Sequence, residues 1–406
     1  MTTPTMPAPN PPSKPPGDRR RLLWRGIVVV LVVAVLATAA GFAWQNRQLA
    51  RSLLTGEVRP VSGTVKPTVL NLPPGFTAEV YASGLSRPRF LTFGPDGVLY
   101  VAESGGGRVT ALPMDPATGR AARAVAVASG LESPNSLAFA GNTLYVGQIS
   151  RVARMTVDSD MRASGQRDII TDLPKSGNHV TRTVLIGPDG NLYVSIGSSC
   201  NVCDESDPHR ASVWVYRADG SGGQRYARGL RNAVGMAVNP ITHEIWVTDN
   251  GRDLMGDDTP PETIYALRAG ANYGWPRCHA GNIIDPDMGS PGDCRGVEQP
   301  LVKMQAHSAP LGLAFYTASA FPANYRGLFV AFHGSWNRST PTGYKVVFIP
   351  LDNAGQVAGP PRDFATGWLR NDSMSGRPVG LAVGPDGALY VSDDSAGLIY
   401  RISYLG

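Results

Sequence analysis

The sequence predicts an all-β, six-bladed β-propeller preceded by one N-terminal transmembrane helix. Three observations lead there: a strand-turn-strand signature that recurs six times, a composition of 47 Gly and 34 Pro with 17% charged residues in a chain of 406, and an uncharged apolar run near the N-terminus. Many turn formers with few charges favour short strands over long helices.

Residues 1–25 are Pro-rich and close with Arg19, Arg20, Arg21 and Arg25. They hold too little apolar surface for a core and are expected to be a disordered cytoplasmic tail. Residues 26–44 read GIVVVLVVAVLATAAGFAW. As a helix they would reach about 28 Å, close to the hydrocarbon thickness of a bilayer. The preceding arginines keep the N-terminus in the cytoplasm and send the rest across, so the expectation is a single-pass signal anchor in the cell membrane with a periplasmic or extracellular catalytic domain. The alternative is a cleaved signal peptide, for which Ala37-Thr38-Ala39 is an acceptable site. Residues 45–71 would be a linker and 72–406 the propeller.

Residues 1–60 hold 8 of the 37 basic and 2 of the 32 acidic side chains, which leaves the remainder at −1. The overall +5 therefore belongs to the N-terminus. Nothing in the body offers the basic face that nucleic-acid binding needs. In an exported domain the four cysteines favour disulfides, with Cys200/Cys203 and Cys278/Cys294 as the local pairs. A C-x-x-C can also be a redox pair or half a zinc site, but no second C-x-x-C is present and no zinc is expected.

The repeat comprises LTFGPDGVLYVAES (91–104), LAFAGNTLYVGQIS (137–150), VLIGPDGNLYVSIGSS (184–199), MAVNPITHEIWVTDN (236–250), LAFYTASAFPANYRGLFVAFHGS (313–335) and LAVGPDGALYVSDDS (381–395). Apolar and polar residues alternate on both sides of a tight turn, as two half-buried strands require. The aromatic positions Tyr100, Tyr145, Tyr193, Trp246, Phe329 and Tyr390 are 45, 48, 53, 83 and 61 residues apart. That is near the period of a four-stranded propeller blade, with insertions in the longer gaps. A two-sheet sandwich would not need one hairpin repeated at this spacing.

Each copy follows a short segment at an equivalent place: LSRPRF, LESPNS, GNHVTR, LRNAVG, HSAPLG and SGRPVG. Equivalent loops of successive blades converge around the axis. Arg87, Asn135, His179, Arg231, Asn232, His307 and Arg377 are therefore expected at one mouth of the channel, where basic and amide groups make a pocket for an anionic, oxygen-rich ligand.

From about Leu72 to Leu405 the chain resembles the quinoprotein sugar dehydrogenases, which include soluble glucose, aldose sugar and sorbosone dehydrogenases, and it looks most similar to the sorbosone branch. The resemblance rests on the His179 segment, GLRNAVGMAV (229–238), TDNGRDLMGDD (248–258) leading to ANYGWP (271–276), and HGSWNRSTPTGYKV (333–346). It implies pyrroloquinoline quinone (PQQ) lying across the mouth, bound through Ca²⁺, with arginines gripping its carboxylates. By the same resemblance Arg231 and Asn232 contact the quinone and Arg377 meets a carboxylate; Asn135 and Arg87, gathered at the mouth by the repeat, and Arg338 are further candidate cofactor residues. Gly251 and Arg252 resemble the loop whose main-chain carbonyls bind calcium, and Asp257, Asp258 and Glu262 are further ligand candidates. His179 is the candidate general base and Arg231 the group that stabilises developing negative charge.

The sequence also departs from the family pattern. Asn178 and Ser198 stand where the soluble glucose dehydrogenases carry acids, which weakens any claim for glucose. A cofactor lysine of those enzymes has no match in HGSWNR, where Arg338 could substitute, and His333 and Trp336 are expected near the ring. The implied activity is oxidation of an aldose or sugar aldehyde. With no C-x-x-C-H haem site, a separate cytochrome or membrane quinone would accept the electrons. The alternatives are a calcium-dependent lactonase-type propeller, which would need carboxylates at the mouth, and a propeller that only binds.

Overall fold

The computed structural model describes residues 57–58 and 68–406. The expected cytoplasmic tail, the expected span at 26–44 and most of the expected linker lie outside the described residues. Among the described residues no helix is long and apolar enough to cross a membrane.

Six sheets of four or five antiparallel strands form the blades, with three two-stranded ribbons in addition. The first strands of the blades are Pro88–Phe93, Ser136–Ala140, Arg182–Ile186, Ala233–Val238, Pro310–Tyr316 and Pro378–Val383. Each packs on the next, and the sixth returns to the first, so the strands form a closed ring around the axis. The expected six-bladed propeller is the observed fold. Closure joins the two ends of the domain: Phe76–Ala82 pairs antiparallel with Leu398–Tyr404 and completes the sixth sheet. Glu57–Val58 adds a short strand to the outer edge of blade one.

The turn motif has a physical role beyond reversing the chain. In the three GPDG copies the aspartate accepts a main-chain N–H two residues on, from Val98, Asn191 or Ala388, at 3.1 Å in each case. Its second oxygen accepts the hydroxyl of the repeat tyrosine, Tyr100 at 2.7 Å and Tyr193 and Tyr390 at 3.0 Å. The buried phenol thereby finds a partner without leaving the blade interface. All six repeat aromatics are buried on second strands, which neighbouring blades cover on both faces. The outer strands Ala163–Ile170 and Gln224–Arg228 are mostly exposed.

Near the axis the blades approach too closely for a side chain. A Cβ on Gly235 would meet the Leu311 carbonyl oxygen at 2.1 Å, one on Gly312 that of Val379 at 2.5 Å, and one on Gly380 that of Arg89 at 2.8 Å. Hydroxyls stitch the same seam: Thr248 donates to Leu311 O, Thr183 to Val234 O and Ser392 to Arg89 O. Gly235→Ala is therefore expected to lose about 1–3 kcal/mol by forcing blades four and five apart. Chemical denaturation measures this, and an unchanged midpoint would mean the seam yields freely.

The long gap before Phe329 holds an insertion between the third strand of blade four, Glu262–Ala266, and its fourth, Val302–Met304. The Cys278–Cys294 disulfide lies in it, and Cys200–Cys203 closes a second loop, so both local pairings are the observed ones.

Candidate active site

Antiparallel pairing brings the start of each first strand beside the end of each second strand, so one mouth of the channel is lined by both. His179 precedes the first strand of blade three, and its half-buried ring turns toward the end of the second. Nδ1 lies 3.0 Å from Ser198 O and 2.9 Å from Ser198 Oγ. The Ser198 hydroxyl donates to Cys200 O at 2.7 Å. Both Ser198 oxygens therefore accept from the ring, Nδ1 carries the proton, and Nε2 keeps an open lone pair with no partner among the described residues.

Gly197 sets the spacing. A Cβ there would stand 2.6 Å from both Asn232 Oδ1 and His179 Cβ, so glycine lets the imidazole and the amide meet over one point of the backbone. Burial, then the nearby Arg231 charge, push the His179 pKa down to about 3. The ring is neutral at neutral pH. In the cofactor-free protein its NMR titration midpoint is expected well below the ordinary 6.5 or so; a midpoint near that value would contradict the packing. His333 is likewise lowered to about 4 by burial. Because the unfolded chain binds these protons more readily, thermal stability is expected to fall as pH drops below about 6.5.

Arg231 is buried and heavily engaged. Its Nε donates to Asn201 O at 3.0 Å, Nη2 to Asn201 Oδ1 at 2.8 Å and Asp253 Oδ2 at 2.7 Å, and Nη1 to Asn250 O at 3.4 Å. One of its five N–H groups remains unclaimed by the described residues. Arg377 is freer: Nε and Nη2 donate to the carbonyls of His333 and Gly334, both at 3.0 Å, and it has no carboxylate partner among the described residues. Beside it His333 Nε2 meets Asp394 Oδ1 at 3.0 Å, and Arg89 Nη1 donates to Asp394 Oδ2 at 2.7 Å.

A recurring acid or amide at the end of a second strand fixes these positions. Glu103 accepts from Ser86 N, Gln148 from Glu132 N, Asp249 from Asn232 N and Asp393 from Arg377 N. The mouth residues are thus held by their backbones, which leaves their side chains for other contacts.

Several expected site residues are occupied elsewhere. Asn135 is buried in the channel wall, accepting from Arg89 Nε at 3.1 Å and donating to Arg182 O at 3.2 Å, so it joins blades one, two and three rather than lining the mouth. Arg87 lies exposed on the rim. Arg338 donates to Asp257 O and to Asp258 Oδ1 at 3.0 Å, while the Asp257 carboxylate takes the N–H and hydroxyl of Ser339. These four residues lock two rim loops together. Glu262 accepts Gly251 N–H at 2.7 Å and Ala309 N–H at 3.1 Å, so both its oxygens support the scaffold. The Arg252 side chain runs into the blade-four insertion, pairing with Asp285 and Asp287. The main-chain carbonyls of Gly251 and Arg252, however, receive no hydrogen bond from the described residues. His307 is buried, bonding Gly256 O at 2.8 Å and meeting Asn337 Nδ2 at 3.3 Å. Trp336 is 71% exposed.

Arg89, Asp394, Asn201 and Asp253 were not anticipated from the sequence. The signal for Asp394 was present, since residues just after a second strand must share the mouth with those just before a first strand, whereas Arg89 lies inside its first strand. Asn201 and Asp253 lie in loops with no repeat to align them.

A six-bladed propeller with an arginine-rich mouth around a neutral imidazole has the architecture of the sugar-oxidising propeller oxidoreductases. The chain belongs to the TrAA12-like family, whose model matches residues 70–288 and 287–405, and so to the PQQ-dependent sugar dehydrogenases. It is similar to the PQQ-dependent sugar dehydrogenase of Hypocrea jecorina, with 25% identity over 395 residues, covering 80% of this chain and 87% of that one. To the PQQ-dependent pyranose dehydrogenase of Coprinopsis cinerea it is 27% identical over 403 residues, covering 82% of this chain and 54% of that enzyme, so it spans about half of that relative. Among solved structures, the calcium structure of the Trichoderma reesei carbohydrate-active enzyme of family AA12 superposes with a TM-score of 0.74 at 23% identity, over 84% of this chain and 98% of the other. The holo PQQ domain of the Coprinopsis cinerea pyranose dehydrogenase gives 0.72 at 24% identity, over 83% and 97%. At such identities the superpositions establish the fold.

Proposed function

We propose that this protein oxidises an aldose or related sugar aldehyde, with PQQ and Ca²⁺ at the propeller mouth and His179 as general base. The observation that carries the reading is the neutral His179 ring, proton on Nδ1 and Nε2 open, in a bowl where Arg231 and Arg377 still have N–H groups to offer.

The residues present suit the two groups. Arg377, without a carboxylate of its own, would receive one from the quinone, and the free carbonyls of Gly251 and Arg252 are the donors a hard cation takes. When bound, the quinone supplies the electron sink that side chains lack. His179 Nε2 takes the hydroxyl proton of the sugar as its C–H bond gives up hydride, and Nδ1–H bonded to Ser198 holds the ring in the required tautomer. The unclaimed Arg231 N–H stabilises negative charge that develops at the mouth.

Electrons then pass to a separate carrier, a cytochrome or membrane quinone. The apolar run at 26–44 behind a basic tail supports a single-span anchor with the propeller on the far side of the membrane. The test is to add Ca²⁺ and PQQ to the purified protein and follow dye reduction with an aldose panel. If no sugar gives reduction, and the quinone brings neither a spectral change nor thermal stabilisation, the reading fails.

A further inference from the structure

The Cys200-Asn201-Val202-Cys203 disulfide ring sits between the imidazole and the guanidinium, reaching the first through Ser198 and meeting the second through two direct hydrogen bonds. Toward His179 the path is Nδ1 to Ser198 Oγ at 2.9 Å, and Ser198 Oγ to Cys200 O at 2.7 Å. Toward Arg231, Asn201 supplies two of the four acceptors: its main-chain oxygen takes Nε and its Oδ1 takes Nη2. The same Oδ1 accepts Asp253 N–H at 2.8 Å, and Asn201 Nδ2 returns a bond to Asp253 O at 3.0 Å. Asn201 therefore also sets the acid that pairs with Arg231. Its main-chain oxygen further accepts Trp275 Nε1 at 3.2 Å, which pins the ring against blade four.

We propose that Asn201, held within the Cys200–Cys203 disulfide, is a positioning residue that aims Arg231 and, through Cys200 and Ser198, keeps His179 in register for the reaction. The inference rests on the functional reading above but concerns residues that reading does not use. A disulfide spanning three residues closes a short loop and constrains the unfolded chain less than a long one. Its effect is local: without it, residues 200–203 lose a covalent constraint on the backbone that presents two acceptors to the guanidinium. Both half-cystines are partly exposed, so the clamp is open to reductants that reach the mouth.

Three variants test this: Asn201→Ala, Asn201→Asp and the double Cys200→Ser/Cys203→Ser. In the cofactor-free proteins the Arg231 Nε–H resonance, assigned by its absence in Arg231→Lys, is expected to shift and exchange faster in the alanine and double-serine variants. Melting temperatures are expected to change little. Loaded with PQQ and Ca²⁺, these two variants are expected to lose about 10-fold to 100-fold in kcat, because misplacement by a fraction of an ångström to 1 Å costs that much. The KM for sugar should be largely unaffected, since Asn201 and the half-cystines act through Arg231 and His179 rather than on the sugar. Asn201→Asp keeps the acceptor for Arg231 Nη2 but loses the Nδ2 bond to Asp253 O, so it should recover part of the loss.

Wild-type kcat together with an unmoved Nε–H signal in the alanine and double-serine variants would overturn the proposal. So would a kcat loss that follows a collapse in melting temperature while the Nε–H signal of the folded fraction is unchanged. If the wild-type protein reduces no dye, the functional reading fails on its own, and the Nε–H comparison still decides the clamp.

Discussion

Replacing His179 by alanine is expected to lower kcat by about 10²–10⁴-fold while PQQ still binds, since that is the contribution a positioned general base makes. Among the described residues the ring bonds only through Nδ1 to Ser198, and the arginines that could hold the cofactor are anchored elsewhere. Its loss should leave their placement intact. Quinone titration by absorbance, paired with steady-state kinetics, separates the two effects. A variant that turns over normally would remove His179 from the chemistry, and one that no longer binds quinone would make it a cofactor residue. Because burial and the Arg231 charge lower its pKa, the base is in its active neutral form at neutral pH, and the acid limb of kcat/KM is expected well below pH 6.5 or so.

Arg231→Lys is expected to cost about 10²–10³-fold in kcat, the size of effect seen when one donor to a developing anion is removed. The substitution keeps the charge and removes the fork. One ammonium cannot reach Asn201 O, Asn201 Oδ1, Asp253 and Asn250 O together, so it must abandon either those anchors or the mouth. Retaining a positive charge beside Asp253 avoids an uncompensated acid, so a loss of kcat at unchanged melting temperature is attributable to geometry. A lysine variant with wild-type kcat would mean that charge alone suffices there.

The blades were legible because their signal is local and repeated. In GPDG-x-LY the aspartate reaches only two residues on along the main chain and four to the tyrosine hydroxyl, so hairpin, turn and buried aromatic are written in one short stretch. Six copies then imply a ring. The mouth was legible more coarsely: alignment placed Arg231, Asn232, His179 and Arg377 at one end, where the structure has them, yet it grouped Asn135 with them although its position lies two residues further into the wall. Arg338, Asp257 and Asp258 were singled out by charge type, and charge type could not tell a free carboxylate from one already bonded to the loop across the rim.

The amino-acid order by itself determined the six hairpins, their aromatic cores and the general end of the channel where cationic groups gather. Each of these depends on alternation, turn chemistry and a period that a linear pattern carries. Only the folded ring decided which nitrogen of His179 is free and that Asn201 and Asp253 seat Arg231, while Arg377 has no acid partner among the described residues. Those outcomes depend on contacts between segments up to some sixty residues apart, such as Arg377 with His333 and His333 with Asp394. Those pairs join neighbouring blades five and six, and closure of the sixth blade onto the first adds Arg89 to Asp394, 305 residues apart.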